Sequence, residues 1–431
     1  MSAQDVAVNL NAVWTVVASL LVYVMHGGFG FFEAGMTGRK NNVDALSHNL
    51  VILAVTLAIY WLVGFGLMFG NGNGMLGLTG FAPTLLDSDL PHFDVLANRP
   101  VPLAVIFAFA LSFADTPATL IAGTGAERIR FAAVMVLTLV ISGVIFPVVG
   151  HWVMGGGWLA TLPRPLYDTG SGVVHLCGGS CCLAVAIFLG PRRGRFRNGE
   201  RRAFAPSSMP MVFLGAFILW FGFFGFNAGF AMVAERSIGL VISNTAVAGG
   251  FGTVVAIAGS WLLTRKAELR ASIIGLLTAN VAITSPSAIV SPWAAAVIGG
   301  LAGILTLVSI RFWAWLALDD ATEYLTMNLV GGVLGMLAVG LFADPRIIAL
   351  YDPLPVPEAG LLHGHAGQVL VQFLGAGAIM LFSATGAAVA CALLRAGGWL
   401  RVGAGEEEAG SDRTTHGEET EGNDQAREPQ P

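Results

Sequence analysis

The sequence has few charged residues. Of its 431 residues, 11% are charged and 55% are hydrophobic, and the mean hydropathy is +0.73. Soluble domains carry about a quarter charged residues, so this chain cannot cover its surface with charge. Most of its exterior must face lipid. The composition therefore predicts a protein that crosses the membrane many times.

Cysteine is also scarce, and its placement disfavours a metal site. The four cysteines, Cys177, Cys181, Cys182 and Cys391, lie in apolar segments and form no pair of CxxC motifs. This favours small packing residues over metal ligands. The loops contain no nucleotide-binding motif and no nucleophile–base pair. We therefore expect no enzyme, no cofactor and no metal.

The negative charge is unevenly placed along the chain. The formal net charge is −5, but residues 405–431 hold nine acids against Arg413 and Arg427. Residues 1–404 carry 20 basic and 18 acidic side chains. We therefore expect a transmembrane domain over residues 1–404 and an acidic cytoplasmic tail over residues 405–431, disordered beyond about Gly417.

Apolar runs of about 18 residues or more predict membrane-spanning helices. The 56 glycines are typical of helices that pack closely in lipid. The predicted fold class is an all-α polytopic membrane protein with eleven transmembrane helices, of which the eighth is the weakest because Pro286 interrupts it. The runs are 11–34, 44–70, 101–125, 131–154, 170–190, 209–232, 238–263, 271–288, 291–312, 322–342 and 367–396.

Basic residues lie in alternate loops. They follow helices one, three, five, seven and nine, whereas the loops between these hold mainly acids and prolines. Because cytoplasmic loops are enriched in Lys and Arg, the N-terminus is expected outside and the C-terminus in the cytoplasm.

Short sequence motifs in the first half of the chain recur, in the same order, in the second half. TMNLVGG at 326–332 matches VVHLCGG at 173–179, which aligns Asn328 with His175. FEAG at 32–35 matches FNAG at 226–229, and DTPAT at 115–119 loosely matches TSPSA at 284–288. Helices one to five therefore correspond to helices six to ten. Because five is odd, the second copy is inverted, and such repeats place a transport path between the halves.

Longer segments resemble the ammonium transporter (Amt/Mep/Rh) family, in order and over nearly the whole chain. The run EEEAGSDRTTHGE at 406–418 resembles the family's cytoplasmic tail motif. The other segments are FFEAGMTGRKN (31–41), GTGAERIRF (123–131), GHWVMGGGWLA (150–160), YDTGSGVVHLCGG (167–179), LWFGFFGFNAGF (219–230), VSPWAAAVIGG (290–300) and DDATEYLTMNLVGG (319–332).

The resemblance implies an ammonium transporter fold: an inverted five-plus-five helix repeat plus a final helix. It further implies a homotrimer in the cell (plasma) membrane, with a narrow apolar pore for ammonium or ammonia in each subunit. Cytoplasmic loops and the tail of the family can also dock a trimeric PII-type regulator that plugs the pore.

The family's pore residues map onto this chain with one major departure. Phe113 and Phe226 match the stacked phenylalanines that close the outer mouth. Asp168 matches the essential aspartate, and His175 matches the first of two pore histidines. Asn328 stands where the family has the second histidine.

Three further positions depart from the family pattern. Met154 replaces a tryptophan and Phe230 replaces a serine at the outer recruitment site, while Tyr324 replaces a small aliphatic residue. A thioether is a weaker partner for a cation than an indole, although the Phe230 ring offers some cation–π attraction. We expect cation capture at the outer mouth to be reduced.

The proton chemistry expected of His175 and Asn328 follows from the cost of removing a cation from water. An apolar path drives ammonium toward neutral ammonia, whereas potassium has no neutral form. A histidine at position 175 can accept and release the proton. Asn328 cannot titrate, so it either holds the tautomer of His175 or binds the substrate through its carbonyl. A relay between two bases is therefore excluded.

The neighbouring residues leave several interpretations open. Tyr324 lies one turn from Asn328 on the same helix face, where it could supply a phenol, block the inner pore or point into another helix. Asp168 is placed to cap helix five and to orient the backbone there. Asp115 lies about 200° around the helix from Phe113, which predicts a polar contact between helices or subunits.

Two classes of function fit these residues. The first is transport of ammonium or ammonia with an altered proton relay. The second is an ammonium sensor or transceptor that binds ammonium with little or no conduction. A passive channel for ammonia or another small neutral gas is a third interpretation.

Overall fold

A computed structural model describes residues 2–197, 200–202, 204–350 and 357–418. Within these ranges, ten helices are long and apolar enough to cross a membrane, and an eleventh apolar helix is shorter. We label them α1 (Ala3–Met36), α2 (Arg39–Phe69), α3 (Leu103–Gly125), α4 (Phe131–Val153), α5 (Ser171–Leu189), α6 (Met209–Gly229), α7 (Ser237–Thr264), α8 (Leu269–Thr284), α9 (Pro292–Trp315), α10 (Leu325–Phe342) and α11 (Gly367–Ala396).

These eleven helices coincide with the eleven predicted runs, and the differences lie at their ends. The first helix begins at Ala3, eight residues earlier than predicted, where the Ser2 hydroxyl and Asp5 form a capping box. The short helix is α8, the weakest of the predicted runs. It ends at Thr284, two residues before Pro286, which has no backbone N–H to donate to the preceding turn of the helix.

The two halves pack through their corresponding helices. Helix α1 lies against α6, and the N-terminal parts of α5 and α10 lie against each other. Helix α11 packs on α5 and α10. The all-α architecture therefore has the predicted repeat, with its buried residues between the two halves and many large apolar side chains exposed on the outside.

Small elements outside the helices lie in the loops and the tail. A two-stranded antiparallel ribbon, β1 (Phe196–Arg197) and β2 (Glu200–Arg201), lies in the basic loop after α5. A short helix spans Ala404–Ala409 at the start of the predicted tail, followed by a helical turn at Asp412–His416. The predicted disorder beyond about Gly417 falls almost entirely outside the described residues.

Candidate functional site

The centre of the candidate site lies where α5 crosses α10. Both helices begin with a π-helical segment, Ser171–Leu176 in α5 and Leu325–Val330 in α10. Such segments widen the helix and are frequent at functional sites. A methyl group on Gly179 would lie 2.7 Å from the Cα of Leu329, so only glycine allows the two backbones to come this close. The double glycines of the two echoing motifs thus bring the segments into contact.

This crossing joins the two residues that the repeat aligns. The Nδ1 atom of His175 lies 2.8 Å from Oδ1 of Asn328. Since an amide oxygen only accepts, Nδ1 carries the hydrogen and donates it. In the neutral ring, Nε2 is then the basic nitrogen. The Asn328 orientation is supported by its Nδ2 atom, 3.4 Å from the carbonyl oxygen of Tyr324.

The rest of the His175 ring contacts aromatic side chains. It stacks on Phe223 with a centroid distance of 5.5 Å and meets the Phe226 ring at 5.7 Å. His175 is buried, and its Nε2 atom has no hydrogen-bond partner within the described structure. A buried base with a free lone pair can accept a proton from a small substrate.

Three phenylalanines close one side of this centre. The Phe113 and Phe226 rings meet edge to face at 5.4 Å, and the Phe230 ring lies 5.4 Å from Phe113 and 5.2 Å from Phe226. Phe113 lies at a break in α3, since Pro117 clashes with helical geometry around the Phe113 carbonyl. Met154 ends α4 and is half-buried against the same core.

Asp168 organises the start of α5. Its Oδ1 atom accepts from the backbone N–H of Gly172 at 2.8 Å, and Oδ2 accepts from Val173 at 2.7 Å. The Ser285 hydroxyl donates to Oδ1 as well. These bonds satisfy N–H groups that a helix start leaves free. The arrangement is the predicted cap, and the contact with Ser285 ties it to the end of α8.

Tyr324 reaches across to α1. Its hydroxyl donates to Oε1 of Glu33 at 2.9 Å, and its ring lies 5.9 Å from Phe32 and 6.1 Å from Phe29. The side chain is 1% exposed. Of the three interpretations left open by the sequence, contact with a neighbouring helix is present. The ring also lies against Gly123 of α3, where an added methyl group would collide with it.

Sequence reasoning missed Glu33 and its second partner. Asn49 of α2 donates to Oε2 of Glu33 at 2.7 Å. The sequence does contain a signal for this contact, because Glu33 is an acid within the otherwise apolar FEAG motif. That motif was interpreted only as part of the repeat. An ionisable side chain inside a membrane helix is a functional candidate by itself.

Asp115 pairs with another helix, as predicted. Its Oδ2 atom lies 2.6 Å from Nδ1 of His26 in α1. Both side chains lie within apolar helices, where a charged or polar group needs a partner. The pair links α1 to α3 and belongs to the framework between helices.

A cluster of charges lies outside the membrane-spanning segments, after α5 and α9. Asp319 accepts hydrogen bonds from Arg192 at 2.8 and 3.0 Å, and it forms an ion pair with Arg195, whose Nε atom lies 3.0 Å from Oδ1. Burial opposes ionisation, but the Arg192 hydrogen bonds and the charges of Arg128 and Arg192 keep the pKa of Asp319 well below its ordinary value. In contrast, burial and the nearby Glu323 raise the pKa of Asp320 to about 6.

The described part of the tail contacts this end of the molecule. Glu407 accepts from Arg401 at 2.8 Å. Asp412 accepts from the backbone N–H groups of Asn42 and Asp44 at 3.1 and 2.9 Å, and His416 lies 3.0 Å from Asp44. The tail motif therefore lies on the N-terminal end of α2.

All four cysteines are buried and form no disulfide. Within the described ranges, His, Cys, Asp and Glu side chains form no group of three that could hold a metal ion.

These features define a class of protein. In the described part of the chain, ten of the eleven apolar helices form two corresponding halves, and these enclose a buried histidine that contacts aromatic rings. This is the architecture of a multi-pass membrane transporter built from an inverted repeat.

Comparison with known proteins identifies the family. The model of the Ammonium Transporter Family matches residues 13–421, so the chain belongs to that family, which consists of transporters and not enzymes. The ammonium transporter Amt2 of Archaeoglobus fulgidus is 36% identical over 427 residues, 94% of this chain and 87% of that protein. The ammonium transporter of Bacillus subtilis is 29% identical, over 95% of this chain and 97% of that protein.

Solved structures have the same fold. A protein named "Sensor Amt Protein" superposes with a TM-score of 0.86 at 31% identity, covering 95% of this chain and 99% of that chain. The Mep2 protein of Candida albicans superposes with a TM-score of 0.84 at 26% identity, covering 92% of this chain and 87% of that chain.

Proposed function

We propose that this protein transports ammonium across a membrane by passing ammonia through the site between the two halves, with one titrating base at its centre. The observation that carries the proposal is the hydrogen bond between His175 and Asn328. It leaves Nε2 of His175 as a buried, unpartnered base. Membership of the Ammonium Transporter Family supports ammonium as the substrate.

Selectivity follows from the surroundings of that base. Phe113, Phe226 and Phe223 exclude water from the approach to His175. Ammonium escapes the desolvation penalty by giving up a proton, and alkali cations cannot. The site therefore passes ammonia and rejects potassium although the two cations are similar in size.

The proton relay differs from one built on two histidines. Asn328 accepts the Nδ1 hydrogen of His175 but cannot bind and release a proton itself. Its function is to hold the tautomer that presents Nε2 to the substrate. Met154 and Phe230 line the entrance as weak cation ligands, so the protein takes up ammonium with low affinity.

The assembly and placement in the membrane follow the family and the charge pattern. We propose a homotrimer in the plasma membrane, with the N-terminus outside and residues 405–431 in the cytoplasm. The tail contacts on α2 and the basic loop after α5 lie at the same end. A PII-type regulatory protein would dock there.

Purified protein in a solid-supported membrane tests this function. A pulse of ammonium should produce uptake or a current, and an equal pulse of potassium should produce neither. Uptake of the substrate without charge movement would support ammonia as the only species carried. A current for potassium equal to that for ammonium would contradict the proposal.

A second function is favoured by one contact. The Tyr324 hydroxyl is bonded to Glu33 and its carbonyl oxygen contacts Asn328, and we propose that the ring closes the inner half of the path. A closed path would suit an ammonium sensor, and one similar structure is that of a protein named as a sensor. Under this alternative, calorimetry would detect ammonium binding while the supported membrane records neither uptake nor current.

A further inference from the structure

Glu33 is a buried acid with no countercharge among the described residues. Glu33 is 1% exposed. In the described structure its carboxylate has two polar partners, the Tyr324 hydroxyl and the Asn49 amide. Both partners are neutral donors. An ionised carboxylate inside a membrane protein is costly without a cation. Glu33 is therefore suited to exist as a neutral acid or beside a cation that comes and goes.

Glu33 and the three phenylalanines Phe113, Phe226 and Phe230 lie on opposite sides of the His175–Asn328 pair. Gly35 of α1 packs against Val212, whereas Leu21 packs against Gly225, so α1 and α6 are antiparallel. Glu33 and Phe226 consequently lie toward opposite ends of the bundle. Asn328 contacts His175 and the Tyr324 carbonyl, and the Tyr324 hydroxyl contacts Glu33, so a chain of contacts leads from His175 to Glu33.

A glycine in α3 provides the space that the Tyr324 and Glu33 side chains occupy together. A methyl group on Gly123 of α3 would collide with the Tyr324 ring and lie 2.9 Å from Oε1 of Glu33. The Tyr324 ring is lined by Phe32 and Phe29. A carboxylate beside aromatic faces is a favourable environment for an ammonium ion, which donates hydrogen bonds and is attracted to the ring faces.

We propose that Glu33 and Tyr324 form an inner ammonium site in which the Glu33 carboxyl group exchanges a proton with the substrate. This inference rests on the proposed transport function. Ammonia arrives after its original proton has passed to His175, which releases that proton back toward the outer side. The ammonia then uses its lone pair to take the proton of neutral Glu33. An N–H bond forms, the O–H bond of the acid breaks, and the resulting carboxylate pairs with the new ammonium ion. After the ion leaves, a hydronium ion from the cytoplasm protonates the carboxylate again and becomes water.

The site thus supplies the second titrating group that Asn328 does not. Other titratable groups near it are Cys182 of α5 and Asp320 ahead of α10. Neither is hydrogen-bonded to Glu33. The carboxyl group of Glu33 is therefore the titratable group of this cluster that is hydrogen-bonded to the Tyr324 hydroxyl.

Transport by the full-length protein tests the site. Glu33→Gln keeps the size and removes the exchangeable proton, whereas Glu33→Asp keeps the proton. We expect the Gln variant to reduce ammonium transport at least tenfold and to flatten its pH dependence, and the Asp variant to keep a pH dependence. Asp115→Asn is the matched control, since it removes another buried acid that pairs with His26 away from this site. Equal transport and equal pH profiles for the parent and Glu33→Gln would overturn the proposal.

Two further arms keep the test decisive. If Glu33→Gln does not fold, Tyr324→Phe removes the hydroxyl and keeps the ring; a changed pH profile supports the site, and an unchanged one overturns it. If the parent itself carries no ammonium, the transport function fails separately. Calorimetry with ammonium chloride then decides the site, because binding that is weaker in Glu33→Gln supports it and equal binding contradicts it.

Discussion

Gly179 of α5 lies directly against the backbone of Leu329 in α10. A methyl group on this glycine would be 2.7 Å from the Leu329 Cα and 2.8 Å from the Asn328 carbonyl carbon. This approach places the His175 and Asn328 side chains within hydrogen-bond distance. The contact between two backbones therefore determines the geometry of two side chains, and it can be tested by adding one methyl group.

Gly179→Ala should force α5 and α10 apart and lower stability by about 1–3 kcal/mol, the usual cost of overpacking. It should also reduce ammonium transport, because the His175–Asn328 bond lengthens. Gly250→Ala in α7 is the control, since nothing lies within 4 Å of the added methyl group. The melting temperature of both variants in detergent measures the difference. Equal melting temperatures would show that the helices tolerate the methyl group.

The combined change Tyr324→Val and Asn328→His should create a pair of imidazoles and give the second ring the space that tyrosine occupies. We expect more charge movement with ammonium than in the parent, a stronger dependence on pH, and continued exclusion of potassium. If the parent is a sensor, it is silent and the double variant begins to conduct. Identical currents and pH profiles in the parent and the double variant would remove Asn328 from the proton path.

Asp319→Asn should destabilise the protein by up to about 3–5 kcal/mol, because it removes a buried carboxylate that pairs with both Arg192 and Arg195 and leaves the Glu127 carboxylate beside Arg192. Arg346→Ala provides the contrast. The Arg346 side chain also pairs with an aspartate, Asp344, but is 80% exposed, so its loss should have no measurable effect. Thermal unfolding in detergent should therefore separate the two variants clearly.

Asp320 should make stability depend on pH between about 4 and 6. Its pKa is raised from 3.8 to about 6 in the fold, mainly by burial, so the folded state prefers the neutral acid. Its contribution is complete below pH 3.8 and is lost as the pH rises through 6. Over this range the parent should lose up to about 3 kcal/mol relative to Asp320→Asn. Parallel curves for the two proteins would contradict this assignment.

The sequence was sufficient for the fold class because lipid imposes a simple rule. A spanning segment must be a long apolar helix, so eleven runs were visible without any tertiary information. The aligned glycine motifs likewise indicated which helices correspond, and they predicted the contact of His175 with Asn328. The family resemblance followed from the same residues in order.

Helix ends and local breaks were harder to predict from the sequence. Composition does not show where an apolar run leaves the membrane, so α1 was predicted to begin eight residues too late. The break in α3 at Phe113 depends on Pro117, and the DTPAT segment that contains this proline indicates a repeat but not a break. The π-helical starts of α5 and α10 come from the close crossing of the two helices, which periodicity does not reveal.

What the sequence by itself determined is therefore the number of helices, their two-fold relationship and the pairing of one titrating and one non-titrating residue. The tertiary structure decided the direction of each polar side chain. It turned the Tyr324 hydroxyl toward Glu33, 291 positions away in the chain, and it paired Asp115 with His26. The physical reason is that a buried polar group must find a partner, and in a helix bundle that partner lies on another helix. Which helix this is depends on how all eleven pack together.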